Sequence, residues 1–295
     1  MLKLAINGYG RIGRSVLRAL YESELCSSLE IVAINELADA RTVEHLTKYD
    51  STHGRFPGSV GLKGEVLCVD GSTIALLHQE KIEDLPWADF GVDIVLECTG
   101  AFSDRAAAQK HIDSGAQKVL FSQPAQGNVD ATVVYGVNHT ALQARHRIVS
   151  NASCTTNGIV PVIVALDDAV GIESGTITTI HSTMNDQPVL DAYHHTDLRK
   201  TRASSRSIIP VDTELALGID KILPELAGRF SAQALRIPTL NVSAMDLTIV
   251  ASGDTDVETV NSALEAASRN RFSGVLGYTT ELLASCDFNH DARSC

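Results

Sequence analysis

The hydrophobic pattern at the start of the chain predicts a strand, a helix and a second strand. Leu2–Asn7 and Leu29–Asn35 are short apolar runs typical of buried strands. Between them, Ile12, Val16 and Leu20 recur every four residues, which is the spacing of an apolar helix face. This alternation favours an α/β domain built on parallel strands.

The same alternation continues through the first half of the chain. Val92–Gly100 is predicted as a strand, Arg105–Ala116 as a helix and Lys118–Ala125 as another strand, whereas 54–77 has the pattern of a β insertion. Ligands bind beyond the carboxyl ends of the strands in such sheets. Three polar or small residues that follow these strands are therefore candidate cofactor neighbours, although ordinary turns fit them equally well: Thr99, Gly100 and Ser122.

In the second half, the pattern predicts an apolar helix that begins near Cys154 and ends at Gly171. An alternating strand, 176–180, then leads to His181. A later helix is expected to begin with a capping box of Thr255 and Glu258 and to pack on the sheet of a second domain. We therefore expect two domains, at residues 1–153 and 154–295.

Composition and charge narrow the classes of function. The chain has 295 residues with 44% hydrophobic and 20% charged content, as in ordinary globular proteins. Its formal net charge of −12 argues against nucleic acid or an anionic membrane as a partner. Its six scattered cysteines form no C-x-x-C pair, so neither a disulfide framework nor a metal site is predicted. With no signal peptide and no long apolar span, a cytoplasmic location is expected.

The turn "GYGRIG" after the first strand predicts a dinucleotide-binding site. Gly8 permits a tight turn, Gly10 allows the backbone to approach a pyrophosphate, and Gly13 allows the helix to pack closely on the strand. The helix N-terminus offers free N–H groups to phosphates. Glu36, 23 residues after Gly13, is placed to bind the adenosine ribose and to favour NAD over NADP. A glycine-rich turn without a ligand is the alternative, and it leaves Glu36 unexplained.

The stretch "SNASCTTNG" places Cys154 among small polar residues at the start of a predicted helix. The partial positive charge of a helix N-terminus favours the thiolate, the nucleophilic form of cysteine. Ser153, Thr155 and Thr156 are residues suited to capping that helix. A thiolate also requires a nearby base, for which His181 is the candidate, although a single histidine is more often a surface or structural residue.

Taken together, "INGYGRIG", "SNASCTTN", the strand to His181 and "ALRIPT" resemble the glyceraldehyde-3-phosphate dehydrogenase family in sequence and order, over essentially the whole chain. Several stretches are more similar to one branch, the erythrose-4-phosphate dehydrogenases: "AINELAD", "HSTMNDQPVLDAYHHTDLRKTR", "SIIPVDT" and "TLNVSAMDLT". The resemblance implies a Rossmann domain followed by an α+β catalytic domain with a mainly antiparallel sheet, assembled as a homotetramer.

The resemblance also implies roles for individual residues. Cys154 matches the nucleophile, and His181 matches the base that polarises the substrate carbonyl. The positions that match the pyrophosphate loop and the cofactor site are Asn7, Gly8, Gly10, Arg11, Ile12, Gly13, Glu36, Thr99, Gly100 and Ser122. The positions that match phosphate or substrate contacts are Ser153, Thr155, Thr213 and Arg236, with Arg199 of the basic loop as a further candidate.

Three departures from the family pattern leave alternatives open. Met184 stands where the family has a phosphate-binding threonine, and Glu214 replaces a glycine, so hydrolysis of the thioester is favoured over phosphorolysis. The chain also ends before the family's C-terminal strand and helix. The implied reaction is NAD-dependent oxidation of D-erythrose 4-phosphate to 4-phosphoerythronate, in pyridoxal 5'-phosphate synthesis. The alternatives are a phosphorylating glyceraldehyde-3-phosphate dehydrogenase and a truncated, inactive dinucleotide-binding protein.

Overall fold

The chain divides near Ser153 into two units. In the computed structural model, which describes residues 1–194 and 196–295, the first unit contains Met1–Val133 and Thr140–Ala152. The second contains Val134–His139 and the described residues from Ser153 to Cys295. Besides the helices and strands given below, short 3₁₀ turns lie at Glu24–Ser27, Ile82–Asp84, His139–Ala141, Leu198–Thr201, Pro224–Leu226 and Ser285–Phe288.

A nine-stranded sheet forms the centre of the first unit. The strands of this unit are β1 (Leu2–Asn7), β2 (Leu29–Asn35), β3 (Tyr49–Asp50), β4 (Gly54–Arg55), β5 (Val60–Leu62), β6 (Val66–Val69), β7 (Ser72–Leu77), β8 (Ile94–Glu97), β9 (Lys118–Phe121), β10 (Ala131–Thr132) and β11 (Ile148–Ser150). Its helices are α1 (Arg11–Tyr21), α2 (Ala40–Lys48), α3 (Trp87–Phe90) and α4 (Arg105–Asp113).

The order of this sheet is β10-β11-β9-β8-β1-β2-β7-β6-β5, and β3 pairs separately with β4. Strands from β10 to β7 run parallel, whereas β5, β6 and β7 pair antiparallel, as the predicted β insertion requires. The topology is that of a Rossmann-like domain, which confirms the predicted fold class.

Both faces of the central strands are buried, which explains why their sequences are continuously apolar. Leu4 and Ile6 of β1 belong to one hydrophobic cluster, with Leu17 of α1. Ala5, between them, belongs to a second cluster that includes Trp87. Alternate residues of one strand thus pack into different cores on opposite faces of the sheet.

The buried face of α1 and the bounds of three other elements differ from those predicted by the hydrophobic pattern. Ile12 is 52% exposed, so it is not part of the buried face of α1, which is formed by Gly13, Leu17 and Leu20 with Arg18. The predicted strands 92–100 and 118–125 are shorter in the structure. β8 loses residues at both ends, whereas β9 begins at Lys118 as predicted and ends at Phe121. The helix 105–116 ends as α4 at Asp113, and the Asp104 carboxylate caps its N-terminus.

The second unit contains a four-stranded mixed sheet in the order β13-β14-β12-β15. Its elements are α5 (Cys154–Val170), β12 (Ile172–His181), β13 (Ile209–Val211), α6 (Leu215–Ile222), β14 (Phe230–Arg236), β15 (Ala244–Ala251) and α7 (Val257–Arg269). β12 pairs parallel with β14, whereas the β12–β15 and β13–β14 pairs are antiparallel.

The predicted ends of two helices in this unit, α5 and α7, can be compared with the structure. α5 ends at Gly171, as predicted, with a positive φ of 66° at that glycine. α7 begins one residue later than the predicted capping box, because the Asp256 carboxylate accepts the N–H of Thr259. The Thr255 and Glu258 box is therefore wrong, and α7 packs against α5.

Across the described part of the chain, none of the helices has the length and apolar character needed to cross a membrane.

Candidate active site

Cys154 is the first residue of α5, and the local sequence accounts for that position. The Ser153 hydroxyl accepts the N–H of Thr156 at 3.0 Å and so caps the helix, as predicted. Before it, Ala152 takes a positive φ of 55°, a conformation that is unusual for a residue with a side chain. The turn leaves the Cys154 side chain exposed at the positive end of a 17-residue helix dipole.

His181, the last residue of β12, meets this thiol. The Cys154 Sγ and His181 Nε2 atoms lie 3.7 Å apart, although the residues are separated by 27 positions. The other ring nitrogen, Nδ1, lies 2.7 Å from the Ser182 carbonyl oxygen and donates its hydrogen to it. This bond fixes the tautomer so that Nε2 faces the sulfur, ready to accept its proton.

The two groups shift each other's titration. The hydrogen bond to His181 lowers the pKa of Cys154 below that of an ordinary thiol, although partial desolvation of the sulfur by its neighbours opposes the shift. The same bond raises the pKa of His181 above its ordinary value, with the Ser182 carbonyl helping. Both directions favour a thiolate–imidazolium pair, which is the reactive state of a nucleophilic cysteine.

Arg236 lies beside His181 at the end of β14. The two residues are partners in the parallel β12–β14 register, so their side chains share one face of the sheet. Arg236 is only 8% exposed, and its guanidinium Nη1 pairs with the Asp186 carboxylate. The second oxygen of Asp186 accepts from Lys200 Nζ at 3.1 Å. Although burial opposes the change, these two cations lower the pKa of Asp186.

The other predicted substrate residues of this unit are dispersed around the helix and its neighbouring loops. The Thr155 hydroxyl lies 3.0 Å from the Ser153 hydroxyl, and the Thr213 hydroxyl accepts the N–H of Leu215 at 3.2 Å. Arg199 is exposed and paired with Asp197 and Asp212 rather than lying free in the basic loop.

Met184 and Glu214, the two departures from the family pattern, are both exposed. Glu214 is the residue before α6 and makes no side-chain cap there. Water screens an exposed carboxylate, so Glu214 repels a phosphate anion less strongly than a buried carboxylate would. The charge that does face Arg236 belongs to Asp186.

The first unit contains a separate cleft of about 340 Å³ at the carboxyl ends of its central strands. Gly8 has a φ of +89°, and a Cβ on it would lie 2.6 Å from the Thr99 backbone nitrogen. Gly13 packs against the carbonyl of Gly8, so a side chain there would separate α1 from the turn. Gly10 is the N-cap residue of α1 and makes no side-chain cap there, so the helix N-terminus carries no capping side chain from that position.

Glu36 lines the same cleft and is held in place by the backbone. Its Oε2 accepts the N–H of Tyr9 at 2.9 Å, and its Oε1 accepts the N–H of Leu37 at 2.8 Å. A carboxylate has about four lone-pair positions, so acceptor capacity remains for ribose hydroxyls. The open helix N-terminus, the tight glycine turn and this acid together fit a dinucleotide.

Of the remaining predicted cofactor residues, Asn7 and Thr99 line the cleft, whereas Arg11, Ile12, Gly100 and Ser122 are not among the residues that line it. Arg11 and Ile12 are exposed in the first turn of α1, and Gly100 has a positive φ of 74° in the turn after β8. The Ser122 N–H donates to the Glu97 carbonyl at 3.1 Å, which places it beyond the end of β9. These positions remain predictions.

A buried polar network lies beneath this cleft. Glu97, which is fully buried, accepts from Asn7 Nδ2 at 2.7 Å, from His111 Nε2 at 3.1 Å and from both the N–H and the hydroxyl of Thr99 at 2.8 and 2.5 Å. Trp87 Nε1 donates to His111 Nδ1 at 3.0 Å. Four donors directed at one carboxylate satisfy its charge and fix two of the residues that line the cleft.

Sequence reasoning missed both Glu97 with its partners and Asp186 with Arg236. Glu97 offered a signal, since an acid inside the apolar run "DIVLECTG" is rarely buried without partners. Asp186 offered none, because only the fold brings it to Arg236, 50 residues away. Within the described residues, no cluster of three His, Cys, Asp or Glu side chains is placed to hold a metal ion.

Comparison with known families matches both units of this architecture. Residues 2–105 match the glyceraldehyde 3-phosphate dehydrogenase NAD binding domain, and residues 153–295 match the glyceraldehyde 3-phosphate dehydrogenase C-terminal domain. The first match covers the cleft with Gly8 and Glu36, and the second covers Cys154 and His181. The chain therefore belongs to the glyceraldehyde 3-phosphate dehydrogenase family, as an NAD-dependent oxidoreductase that acts on an aldehyde group.

Proposed function

We propose that this chain oxidises D-erythrose 4-phosphate to 4-phosphoerythronate with NAD, using Cys154 as nucleophile and His181 as base. The observation that carries the proposal is the 3.7 Å approach of Cys154 Sγ to His181 Nε2 at the N-terminus of α5. The resemblance to the erythrose-4-phosphate dehydrogenase branch supports the choice of substrate and implies a role in pyridoxal 5'-phosphate synthesis, in a cytoplasmic homotetramer.

The chemistry begins with the Cys154 thiolate, which attacks the aldehyde carbon and forms a C–S bond. The carbonyl oxygen becomes an alkoxide, which is stabilised by the Cys154 N–H at the helix N-terminus and by the imidazolium of His181. His181 protonates this oxygen and then removes the same proton as the C–H bond breaks. Bound NAD would supply the hydride acceptor at this point, and loss of hydride from that carbon leaves a thioester on Cys154.

Release of the product then depends on the group that attacks the thioester. His181, which holds the proton taken from the hydroxyl group, first releases it to solvent. The neutral imidazole then removes a proton from water, whose oxygen forms the new C–O bond as the C–S bond breaks. The products are a free carboxylic acid and the regenerated thiolate. Attack by inorganic phosphate would give an acyl phosphate instead, the outcome for the phosphorylating alternative.

The experiment compares NADH production from erythrose 4-phosphate and glyceraldehyde 3-phosphate, each with and without inorganic phosphate. The proposal expects a higher kcat/KM for erythrose 4-phosphate and turnover that continues without phosphate. A strict requirement for phosphate would establish the phosphorylating alternative. Absence of NADH from both aldehydes would contradict the proposed activity of this chain.

A further inference from the structure

The peptide group that follows His181 is held at both of its polar atoms by the connection between β14 and β15, residues 237–243. The His181 carbonyl accepts the N–H of Ile237 at 2.9 Å. The Ser182 N–H, one residue beyond the end of β12, donates to the Ser243 hydroxyl oxygen at 3.2 Å. Ser182 is buried, so water is not a ready substitute for that hydroxyl.

The next peptide group orients the His181 ring. Its carbonyl, that of Ser182, accepts from His181 Nδ1 at 2.7 Å, and its N–H, that of Thr183, donates to the Thr239 carbonyl at 2.9 Å. The carbonyl and the N–H of a trans peptide point in opposite directions, so the bond to Thr239 holds the Ser182 carbonyl towards the ring. Of the groups that the 237–243 connection contributes to these two peptides, only the Ser243 hydroxyl belongs to a side chain.

The backbone of the connection bends sharply just before this hydroxyl. Val242 has a φ of +62°, which is a strained conformation for a β-branched residue. Ala244 then begins β15 and pairs with Ile180 of β12. Ser243 therefore lies opposite the end of β12, where it bonds to Ser182 through its side chain rather than through its main chain. Such strain persists only where the surrounding structure holds it, and it is frequent at functional sites.

Loss of the Ser243 hydroxyl would leave the Ser182 N–H without its partner in a buried position. The peptide group would then turn towards another acceptor and carry Ser182 with it. Because the Ser182 carbonyl fixes the tautomer and the orientation of His181, this movement would release the ring. The approach of Nε2 to Cys154 Sγ, now 3.7 Å, would lengthen, and the thiolate would lose its closest partner.

We propose that Ser243 is a positioning residue for His181, whose hydroxyl holds Ser182 and, through the Ser182 carbonyl, keeps Nε2 of the imidazole directed at Cys154. The inference rests on the proposed function, in which His181 is the base. Ser243 bonds to Ser182, so its effect on the reaction is indirect. It should change the reactivity of Cys154 and kcat but leave KM unchanged.

The test measures alkylation of Cys154 by iodoacetamide as a function of pH in the full chain, followed by mass spectrometry of the Cys154 peptide. Alkylation requires the thiolate, so the midpoint of the pH profile reports how His181 is held. Ser243→Ala should move the midpoint upwards and lower the rate near neutral pH by about tenfold, the change that one pKa unit produces. Ser243→Thr retains a hydroxyl and should keep the wild-type profile.

Asn241→Ala is the matched control. Asn241 lies in the same connection, and its side-chain amide donates to Asn289 at 3.1 Å, so this variant loses one side-chain hydrogen bond without releasing Ser182. An unchanged midpoint in Ser243→Ala, even with a lower melting temperature, would overturn the inference and leave Ser243 a purely structural role. An equal shift in Asn241→Ala would overturn it as well.

Hydrogen exchange of the wild-type chain covers the case in which Ser243→Ala does not fold. The Ser182 amide should exchange slowly, because its bond to Ser243 must open first, and exchange as fast as that of an exposed loop would overturn the inference.

These readouts are separate from turnover. If the wild-type chain gives no NADH from either aldehyde, the proposed function fails, yet the alkylation profile still decides the role of Ser243. If NADH is produced, Ser243→Ala should lower kcat with KM unchanged, and a rise in KM alone would count against the inference.

Discussion

Replacing Glu97 by glutamine should destabilise the first unit far more than a change of one charge on its surface. Glu97 is fully buried and accepts four hydrogen bonds, from Asn7, His111 and twice from Thr99. A glutamine retains one oxygen but presents an NH₂ group at the other position. If the oxygen keeps the bonds to Thr99, the NH₂ group faces the donors of Asn7 and His111.

The geometry prevents an easy rearrangement. His111 cannot turn its acceptor nitrogen towards the new amide, because its Nδ1 already accepts from Trp87 Nε1 at 3.0 Å. Hydrogen bonds to a charged group contribute about 1.5–3 kcal/mol each, and two are lost in Glu97→Gln. We therefore expect the free energy of unfolding to fall by about 3–5 kcal/mol.

The assay is urea unfolding followed by fluorescence. Trp87 is the only tryptophan of the chain and is fully buried next to His111, so its emission reports on this unit. Glu83→Gln is the control, since Glu83 is an exposed partner of Lys110 and water screens such pairs. A Glu97→Gln variant as stable as Glu83→Gln would show that the hydrogen bonds to the Glu97 carboxylate do not stabilise the first unit.

Three further predictions concern the two units separately. His181→Asn should move alkylation of Cys154 by iodoacetamide to higher pH, because the imidazole lowers the pKa of that thiol; an unchanged pH profile would contradict the pair. Glu36→Ala should weaken NAD binding, measured by calorimetry, because the ribose loses its acceptor and the turn loses the carboxylate that holds the Tyr9 N–H; equal affinity would remove Glu36 from the cofactor site. Burial raises the pKa of Asp130, but its hydrogen bonds from Arg105, Ile148 and Arg147 outweigh that effect and lower the pKa to about 2. The ionised Asp130 therefore contributes to stability above pH ~4, and this contribution is lost as the pH falls towards ~2. Asp130→Asn should therefore flatten the acid limb of the stability curve, and an identical limb would show that this carboxylate is not involved.

The sequence predicted the elements whose signals are local. The glycine turn, the strand ending at Asn7 and the helix ending at Gly171 depend on residues within one turn or strand, and the structure contains all three. The cap at Ser153 is predictable because its hydroxyl and the Thr156 N–H that donates to it are only three residues apart. Boundaries such as the end of β8 are less predictable, because backbone pairing does not stop sharply there: the Cys98 N–H still donates to the Asn7 carbonyl at 2.8 Å, one residue beyond the strand.

The sequence alone identifies His181 only as a candidate partner of Cys154, because their approach depends on the packing of α5 beside β12. The Asp186–Arg236 pair has no counterpart in the sequence pattern, and of the Glu97 network the pattern shows only an acid within an apolar run, not its partners. Both join residues that are distant along the chain, and their effect is electrostatic rather than periodic. The exposed position of Ile12 shows the limit of spacing alone, since Gly13 rather than Ile12 turns towards the sheet.

The most direct test of Cys154 as the nucleophile is a single-turnover reaction of the chain with NAD and erythrose 4-phosphate in the absence of inorganic phosphate. Rapid NADH formation is measured together with the mass of the acylated peptide. We predict NADH in an amount equal to the acyl group on Cys154. This NADH should be lost in Cys154→Ser and retained in Cys26→Ser, since Cys26 is an exposed cysteine of the first unit. NADH formation that persists in Cys154→Ser would contradict the central claim that this thiol is the nucleophile.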